Sequence, residues 1–157
     1  MAYIDSYGVE YSNDRKTLVK CPVTLKGHYM VNSSVETIAK RAFYKCKDLT
    51  SISLPLSIIN IESFAFGFCV NLQLINIPTS ITKIERGLFY KCRQLKSVII
   101  PSSVEQIGEN AFGACYYMYD KSNKTISYYE NEYSPINTSK EITLNNDSFL
   151  VKSLYNT

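Results

Sequence analysis

Four cysteines at a constant spacing are the residues of this chain best placed for metal or disulfide chemistry. They recur every 23 residues, at Cys46, Cys69, Cys92 and Cys115. If the repeats stack, equivalent side chains lie roughly 5 Å apart, within the range of a disulfide or a shared metal ion. A free cysteine also behaves as a small hydrophobic side chain, and a stack needs identical residues at its interior positions. We favour this structural role and expect no metal or other cofactor.

The other chemistry-bearing residues do not form a catalytic set. The chain has one histidine, His28, which we expect in a loop, so neither a histidine-dependent nucleophile nor a multi-histidine metal site can be assembled within it. Its six glycines form no phosphate-binding loop. Cys21 lies outside the 23-residue register and is predicted to be an exposed thiol. We therefore expect a protein that is not an enzyme.

The same spacing extends over many other positions and defines an internal repeat. It is kept by the phenylalanines Phe43, Phe66, Phe89 and Phe112, by the prolines Pro55, Pro78 and Pro101, and by aliphatic positions such as Ile38, Ile61, Ile84 and Ile107. Agreement of so many positions over three to four copies is not a chance event. Each copy is therefore one structural unit, which stacks on its neighbours to bury its apolar face.

Each repeat contains one strand-like and one helix-like segment. Residues 49–54, 72–77 and 95–100 are rich in β-branched side chains and are followed by proline, which cannot donate to a sheet ladder. These segments predict short parallel strands, one per rung. Between them, residues 84–92 carry apolar side chains at the spacing of one or two helical turns. The pattern predicts an α/β-solenoid with one short strand and a short helical turn per rung.

The repeat resembles a known class of leucine-rich repeat. The pattern I/V-x-x-I-x-x-x-A-F-x-x-C-x-x-L-x-x-I-x-[IL]-P is present at residues 35–55, 58–78 and 81–101, with Leu88 replacing the alanine in the third copy. It is similar to the BspA-like leucine-rich repeat of microbial surface proteins. The resemblance implies a right-handed leucine-rich-repeat stack flanked by β-hairpin units. It also implies attachment to host or extracellular-matrix proteins.

Three segments are expected along the chain. Residues 1–30 are predicted to form an N-terminal β-hairpin or cap, because two β-like runs flank turn-forming residues. Residues 31–115 are predicted to form about four rungs, with boundaries near positions 55, 78 and 101. Residues 116–157 are predicted to form a second hairpin and a degenerate C-terminal rung or cap.

Composition narrows the classes of function. The chain has 157 residues, 45% apolar and 20% charged, which is typical of one globular domain. A net charge of +3 is too small to imply a nucleic-acid partner. No apolar run approaches the roughly 18 residues of a membrane-spanning helix, and the N-terminus lacks a secretory signal pattern. The compartment stays open between the cell surface, which the resemblance suggests, and the cytoplasm.

Positions that break the repeat are the candidates for binding. On the strand side, the residues predicted to point outward are Ser51, Ser53, Leu74, Asn76, Ser97 and Ile99. They mix polar and apolar side chains without a stripe of one charge. Repeat proteins commonly bind partners on such an extended sheet, so we expect a protein ligand rather than a nucleic acid.

A second candidate is an apolar patch in the second rung, where the neighbouring rungs carry mainly polar or charged residues. Its members are Leu56, Ile59, Phe64, Phe68 and Val70. An apolar patch between basic rungs is typical of a protein contact, although the two phenylalanines could instead fold back over their own rung or lie under the terminal segments. The leading hypothesis is a protein-binding adhesion module. The alternative is an intracellular scaffold or regulatory subunit, or a domain that associates with a second copy of itself.

Overall fold

The computed structural model describes residues 2–95, 97–115, 117–120, 125–131, 134–135 and 148–152; for Ser97, Ile99 and everything after residue 115 it describes the backbone alone. Over these ranges the chain consists of short strands joined by turns, and it contains no helix. The architecture is a β-solenoid of about four turns.

The strands of the described ranges are numbered in chain order. They are β1 (Tyr3–Ile4), β2 (Glu10–Tyr11), β3 (Thr17–Lys20), β4 (Gly27–Met30), β5 (Thr37–Ile38), β6 (Leu49–Ser53), β7 (Asn60–Ile61), β8 (Leu74–Asn76), β9 (Lys83–Ile84), β10 (Ser97–Pro101), β11 (Gln106–Ile107), β12 (Tyr117–Asp120), β13 (Thr125–Asn131), β14 (Ser134–Pro135) and β15 (Ser148–Lys152).

The longer strands of successive rungs form one sheet, here called the front sheet. Its order is β4, β6, β8, β10 and β15, and the first four strands are parallel. Ser51 pairs with Leu74, and Leu74 with Ser97, so partners are one 23-residue repeat apart. This register places identical positions of each repeat beside one another, and the repeated apolar residues therefore become continuous interior ladders.

The last strand of the front sheet differs in direction. β15 pairs antiparallel with β10, placing Leu150 opposite Ile99. The second hairpin and the degenerate C-terminal rung or cap expected for residues 116–157 stay a prediction, because much of this segment lies outside the described residues. β12 and β13 form an antiparallel pair, which β14 extends.

The shorter strands form a second surface of the stack. β3, β5 and β7 are parallel, and β9 pairs with β11 in the same way. At the N-terminal end, β1, β2 and β3 pair antiparallel with one another. β3 thus pairs with the antiparallel N-terminal strands on one side and with the parallel strand β5 on the other, and it joins the N-terminal unit to the solenoid.

The turn that follows each short strand is not helical, contrary to the predicted helical turn. Two positions per rung have φ between +50° and +64°, again 23 residues apart: Arg41, Phe64, Gly87 and Asn110, and Lys45, Phe68, Lys91 and Ala114. A left-handed residue cannot continue a right-handed helix. The turns bond between rungs instead, for example from the Phe43 N–H to the Ala65 carbonyl at 2.8 Å. The apolar spacing of residues 84–92 therefore reflects a non-helical turn that buries Ile84, Leu88, Phe89 and Cys92.

The interior is built from ladders of stacked side chains. The Phe66 ring lies between Phe43, at a centroid distance of 5.1 Å, and Phe89, at 5.8 Å, with interplanar angles of 20° and 12°. Phe89 stacks in turn on Phe112 at 5.4 Å. All these rings are buried. The rings are nearly parallel, so they stack rather than meet edge to face.

A ladder of serines, which the sequence analysis did not identify, closes the turns after the front-sheet strands. The Ser57 hydroxyl donates to the Val35 carbonyl at 2.6 Å, and the Ser103 hydroxyl donates to the Ile81 carbonyl at 2.7 Å. Each serine thereby satisfies a backbone acceptor of the preceding rung that would otherwise be left unpaired.

Candidate functional site

The outward face of the front sheet, here called the front face, is the main candidate binding surface. Side chains alternate along a strand, so Ile52 and Ile75 enter the core while Ser51, Ser53 and Leu74 point outward. Leu74 is 54% exposed, an unusual position for a leucine in the middle of a sheet. The side chains of Ser97 and Ile99, which the sequence predicts on this face, lie outside the described part of the structure.

His28 also belongs to the front face, and the prediction of a loop for this residue was wrong. It lies in β4 and pairs with Ser51. Its Nδ1 is 2.7 Å from the Ser51 hydroxyl, and its Nε2 is 3.3 Å from the Ser53 hydroxyl. The signal that could have located it is its position 23 residues before Ser51 and 46 before Leu74.

The histidine–serine contact does not have the arrangement of a hydrolytic triad. Both ring nitrogens of His28 face hydroxyl groups, and in a triad one of them would instead be held by a carboxylate. The imidazole, in β4, contacts both hydroxyls of β6 and links the two strands through their outward side chains.

The Asn76 side chain hydrogen-bonds to the backbone of the neighbouring rung, a role that the sequence analysis did not anticipate. Its side-chain oxygen accepts from the Leu54 N–H at 2.9 Å, and its amide nitrogen donates to the Leu54 carbonyl at 2.9 Å. The amide therefore replaces a ladder pair at the end of β6. Both polar atoms of the Asn76 side chain are thus engaged in hydrogen bonds within the protein.

A depression of about 530 Å³ lies on the front face. It is lined by His28, Ser51, Ile52, Ser53, Leu74, Ile75, Asn76 and Ile77. Met30, which is 71% exposed, is the next outward residue of β4. The described outward side chains of β4, β6 and β8 carry no formal charge. Apolar groups at Met30 and Leu74 are thus set among neutral hydrogen-bonding groups.

The apolar patch predicted in the second rung divides into two parts. Leu56 and Ile59 lie in the connection between β6 and β7 and are 77% and 61% exposed. Phe64, Phe68 and Val70 lie in the turn after β7 and are half-buried. The Phe68 ring packs edge-on against Tyr44 at 5.2 Å and against Tyr90 at 5.5 Å, so it is partly covered by the rungs on either side.

The four repeated cysteines are buried free thiols. The Cys69 thiol donates to the Phe43 carbonyl at 3.1 Å, and Cys92 and Cys115 repeat this contact one and two rungs later. Burial raises the pKa of Cys46 to about 11 and that of Cys115 to about 12, so both stay protonated at neutral pH. In the described part of the chain, no three His, Cys, Asp or Glu side chains converge in a way that could hold a metal ion.

Cys21 is also buried, and the prediction that it is an exposed thiol was wrong. Its exposed fraction is 1%, and its N–H donates to the Ala42 carbonyl at 2.8 Å. Burial raises its pKa well above the ordinary range of a thiol. Because the residue lies in the N-terminal unit and not in the repeat, no repeated position indicates its surroundings.

A second concave region, which the sequence analysis missed, lies beside the N-terminal unit. A cavity of about 580 Å³ is lined by Tyr3, Asp5, Tyr7, Tyr11, Arg15, Tyr29, Met30, Val31, Asn32, Ser33, Ser34, Ser53, Leu54 and Pro55. At its base the Tyr29 hydroxyl donates to the Asp5 carboxylate at 2.6 Å, and it also bonds to the Tyr11 hydroxyl. Burial, together with the Asp5 contact, raises the pKa of Tyr29. The tyrosines thus join the N-terminal unit to the first rung.

None of the residues that the structure describes belongs to a helix of the length and apolarity that a membrane crossing needs.

Several solved structures share this architecture. They include the pneumococcal vaccine antigen PcpA (28% identity, TM-score 0.66, covering 70% of this chain and 27% of that one), a leucine-rich cell-surface protein of Faecalibacterium prausnitzii (29% identity, TM-score 0.62, 73% and 29%) and the T. pallidum leucine-rich-repeat protein TpLRR (27% identity, TM-score 0.61, 69% and 54%). The chain spans roughly a quarter to a half of the length of these proteins. No match was found among curated proteins.

The family model of the BspA-type leucine-rich-repeat region matches residues 27–134 in six copies. The match covers more than half of the chain and confirms the resemblance seen in the repeat pattern. The chain belongs to the BspA-type leucine-rich-repeat family.

Proposed function

We propose that this chain is a non-catalytic module that binds proteins through its front face and serves in adhesion to host or extracellular-matrix proteins. The observation that carries the proposal is the exposed Leu74 beside the His28–Ser51–Ser53 group. An apolar contact surrounded by neutral donors and acceptors has the character of a protein–protein interface. A nucleic acid would instead require cations on this face.

Two further observations support a partner on this face rather than an interior role. Leu74 and Met30 remain exposed although the apolar residues alternating with them, such as Ile75 and Tyr29, are buried. The solved relatives include a cell-surface protein and a vaccine antigen, which supports a surface role for this chain. The adhesive activity is proposed for the module, because those proteins are much longer than this chain.

The test is capture by immobilised extracellular-matrix proteins. Purified chain is applied to fibronectin, laminin and type I collagen, and the Leu74→Asp/Ile99→Asp variant is compared with wild type. Wild type is expected to be retained on at least one of them, and the variant is expected to lose at least tenfold in affinity at an unchanged melting temperature. Capture by none of the three would reject the adhesion proposal. Equal capture of wild type and variant would reject the front face as its site.

A matched control is available at Leu56, which is more exposed than Leu74 but lies off the front face. Leu56→Asp is matched to the single substitution Leu74→Asp, because each adds one charge to a surface leucine, and it is expected to leave capture unchanged. If Leu56→Asp abolishes capture while Leu74→Asp does not, the connection between β6 and β7 is the binding surface.

A second candidate function is that of a scaffold or regulatory subunit whose partner is another protein or a second copy of the chain. The exposed pair Leu56 and Ile59 favours it, because adjacent large apolar side chains at these exposures are typical of contact surfaces. Sedimentation of wild type against Leu56→Glu/Ile59→Glu tests the self-association form. The chain is measured at 100 µM, which is on the order of the dissociation constant of a weak dimer. A wild type that is monomeric at this concentration would reject self-association.

A further inference from the structure

The turns on the side away from the front sheet carry a cluster in which aromatic rings alternate with cations. We call it the turn cluster; its members are Arg41, Tyr44, Lys45, Phe64, Phe68, Tyr90 and Lys91. The rings pack edge to face, with Phe68 at 5.2 Å from Tyr44 and 5.5 Å from Tyr90, and Phe64 at 6.1 Å from Tyr90. The cluster therefore spans three successive rungs.

Each cation of the turn cluster lies over two rings. Lys91 Nζ is 5.1 Å from the Phe68 centroid and 5.7 Å from that of Tyr90. Lys45 contacts Tyr44 and Phe68 at 5.6 and 5.9 Å, and Arg41 contacts Tyr44 and Phe64 at 5.2 and 5.8 Å. Cation–π contacts hold the long side chains along the surface while leaving the charged ends accessible. Contacts made before binding reduce the side-chain entropy that binding would otherwise cost.

Positive charge is concentrated on this side of the molecule. Residues 39–48, 62–71 and 85–94 contain seven Lys and Arg against three Asp and Glu, a net charge of +4 in a chain whose total is +3. Two of the three acids are already engaged: Glu62 accepts the Lys40 N–H at 2.7 Å, and Glu85 pairs with Lys83 at 3.2 Å. An anion approaching these turns meets an excess of cations.

The backbone at the two phenylalanines of the turn cluster is left-handed. Phe64 and Phe68 have φ of 57° and 58°, a region that bulky residues rarely adopt. The position of Phe64 is held in the other rungs by Arg41, Gly87 and Asn110, all with positive φ, so the geometry belongs to the repeated turn. This turn places the Phe64 and Phe68 rings beneath Arg41, Lys45 and Lys91.

We propose that the turn cluster binds a sulfated polysaccharide, a linear sugar polymer recognised through its sulfate groups. Sulfate oxygens accept the hydrogen bonds that ordered guanidinium and ammonium groups donate, and cations in several rungs can meet successive groups of one polymer. A single-stranded nucleic acid fits less well, because base stacking needs open ring faces, and cations and neighbouring ring edges cover these faces. The turn cluster is separate from the front face, so this surface adds to the protein-binding function.

The test measures binding of heparin to the intact chain by fluorescence anisotropy at low salt. The decisive variant is Arg41→Asn/Lys45→Asn/Lys91→Asn, because asparagine tolerates the left-handed backbone and already occupies the position equivalent to Arg41 at Asn110. Each surface cation contributes about fivefold to the affinity for a polyanion, so removing three should weaken heparin binding on the order of 100-fold. The dependence of log K on log salt should become shallower by about 2, at ~0.7 per cation removed.

A control variant matches the number and type of charges removed. Arg15→Asn/Lys20→Asn/Lys26→Asn also loses one arginine and two lysines, all exposed, and Arg15 has a similar φ of 59°. Its heparin affinity is expected to stay within about threefold of wild type. Equal losses in the two variants would show binding by net charge alone and would overturn the assignment.

Two further ligands test which chemical group is bound, and one further variant guards against an effect on folding. Chemically desulfated heparin, which keeps its carboxylates, is expected to bind at least tenfold more weakly than heparin. Tighter binding of poly-uridylate RNA than of heparin, or no heparin binding by wild type, would overturn the proposal. If the triple variant does not fold, Phe68→Asn decides instead: it keeps all charges, removes the ring beneath Lys45 and Lys91, and is expected to weaken heparin binding severalfold.

Discussion

Replacing Phe66 by alanine tests how the interior ladders hold the solenoid together. Phe66 is fully buried and stacks on both Phe43 and Phe89. Truncating a buried phenylalanine costs about 3–5 kcal/mol, and each aromatic pair adds ~0.5–1.5 kcal/mol beyond its buried area. Because alanine removes the stacking on both sides, we expect the upper end of that range, about 5 kcal/mol. A domain of this size has on the order of 5–15 kcal/mol in total, so the variant should be close to unfolding.

The assay is urea denaturation followed by far-UV circular dichroism and tyrosine fluorescence, because the chain has thirteen tyrosines and no tryptophan. Phe112→Ala is the internal comparison. Phe112 stacks on Phe89 within the described residues and is slightly more exposed, so its truncation should cost roughly 1–2 kcal/mol less. Leu56→Ala, at an exposed side chain, should stay within about 0.5 kcal/mol of wild type. A cost below about 2 kcal/mol for Phe66→Ala, or one smaller than that of Phe112→Ala, would refute the reasoning.

A pair of glycine substitutions, a thiol-labelling experiment and a pH titration give three further predictions. Gly87→Ala places a Cβ against the Phe64 ring at a φ of +63°, and should cost about 1–3 kcal/mol more than Gly27→Ala, where φ is also positive but the space is open; equal melting temperatures would contradict this. Iodoacetamide should leave the five buried thiols of the native chain unmodified at pH 8 and alkylate them in urea, and rapid native labelling would show that the rungs open readily. The free energy of unfolding should decline above about pH 9, because thiols of the unfolded chain ionise there while Cys46 and Cys115 of the folded chain hold their protons to about pH 11 and 12. Equal urea midpoints at pH 7.5 and 10 would contradict this prediction.

The interior of the solenoid was predictable because burial acts on every repeat alike. Phe43, Phe66 and Phe89 recur at one spacing, and the parallel register converts that spacing into a stacked ladder. The turns were less predictable, since apolar residues at the spacing of residues 84–92 suit both a helical turn and a left-handed turn. The distinguishing signal is the alignment of Gly87 and Asn110 with Arg41, which becomes informative once backbone φ is considered.

The binding face was predictable in outline and not in its chemistry. Strand alternation places Leu74 outward, and this placement depends on local sequence alone. The hydrogen bonds that make His28 part of the face, and those that engage Asn76, join residues 22 to 25 positions apart and depend on the register between strands. Cys21 and the tyrosine-lined cavity belong to the N-terminal unit, where no repeated position constrains the packing.

Site-directed photo-crosslinking tests the proposed binding face most directly. The five native cysteines are buried, so a maleimide–benzophenone label can be directed to an introduced cysteine. Ser51→Cys places the label on the front face, and Thr79→Cys places it in the exposed turn after β8. With the matrix protein that captures wild type, we predict strong crosslinking from Ser51→Cys and little from Thr79→Cys. Equal yields from both positions, or a higher yield from Thr79→Cys, would contradict binding through the front face.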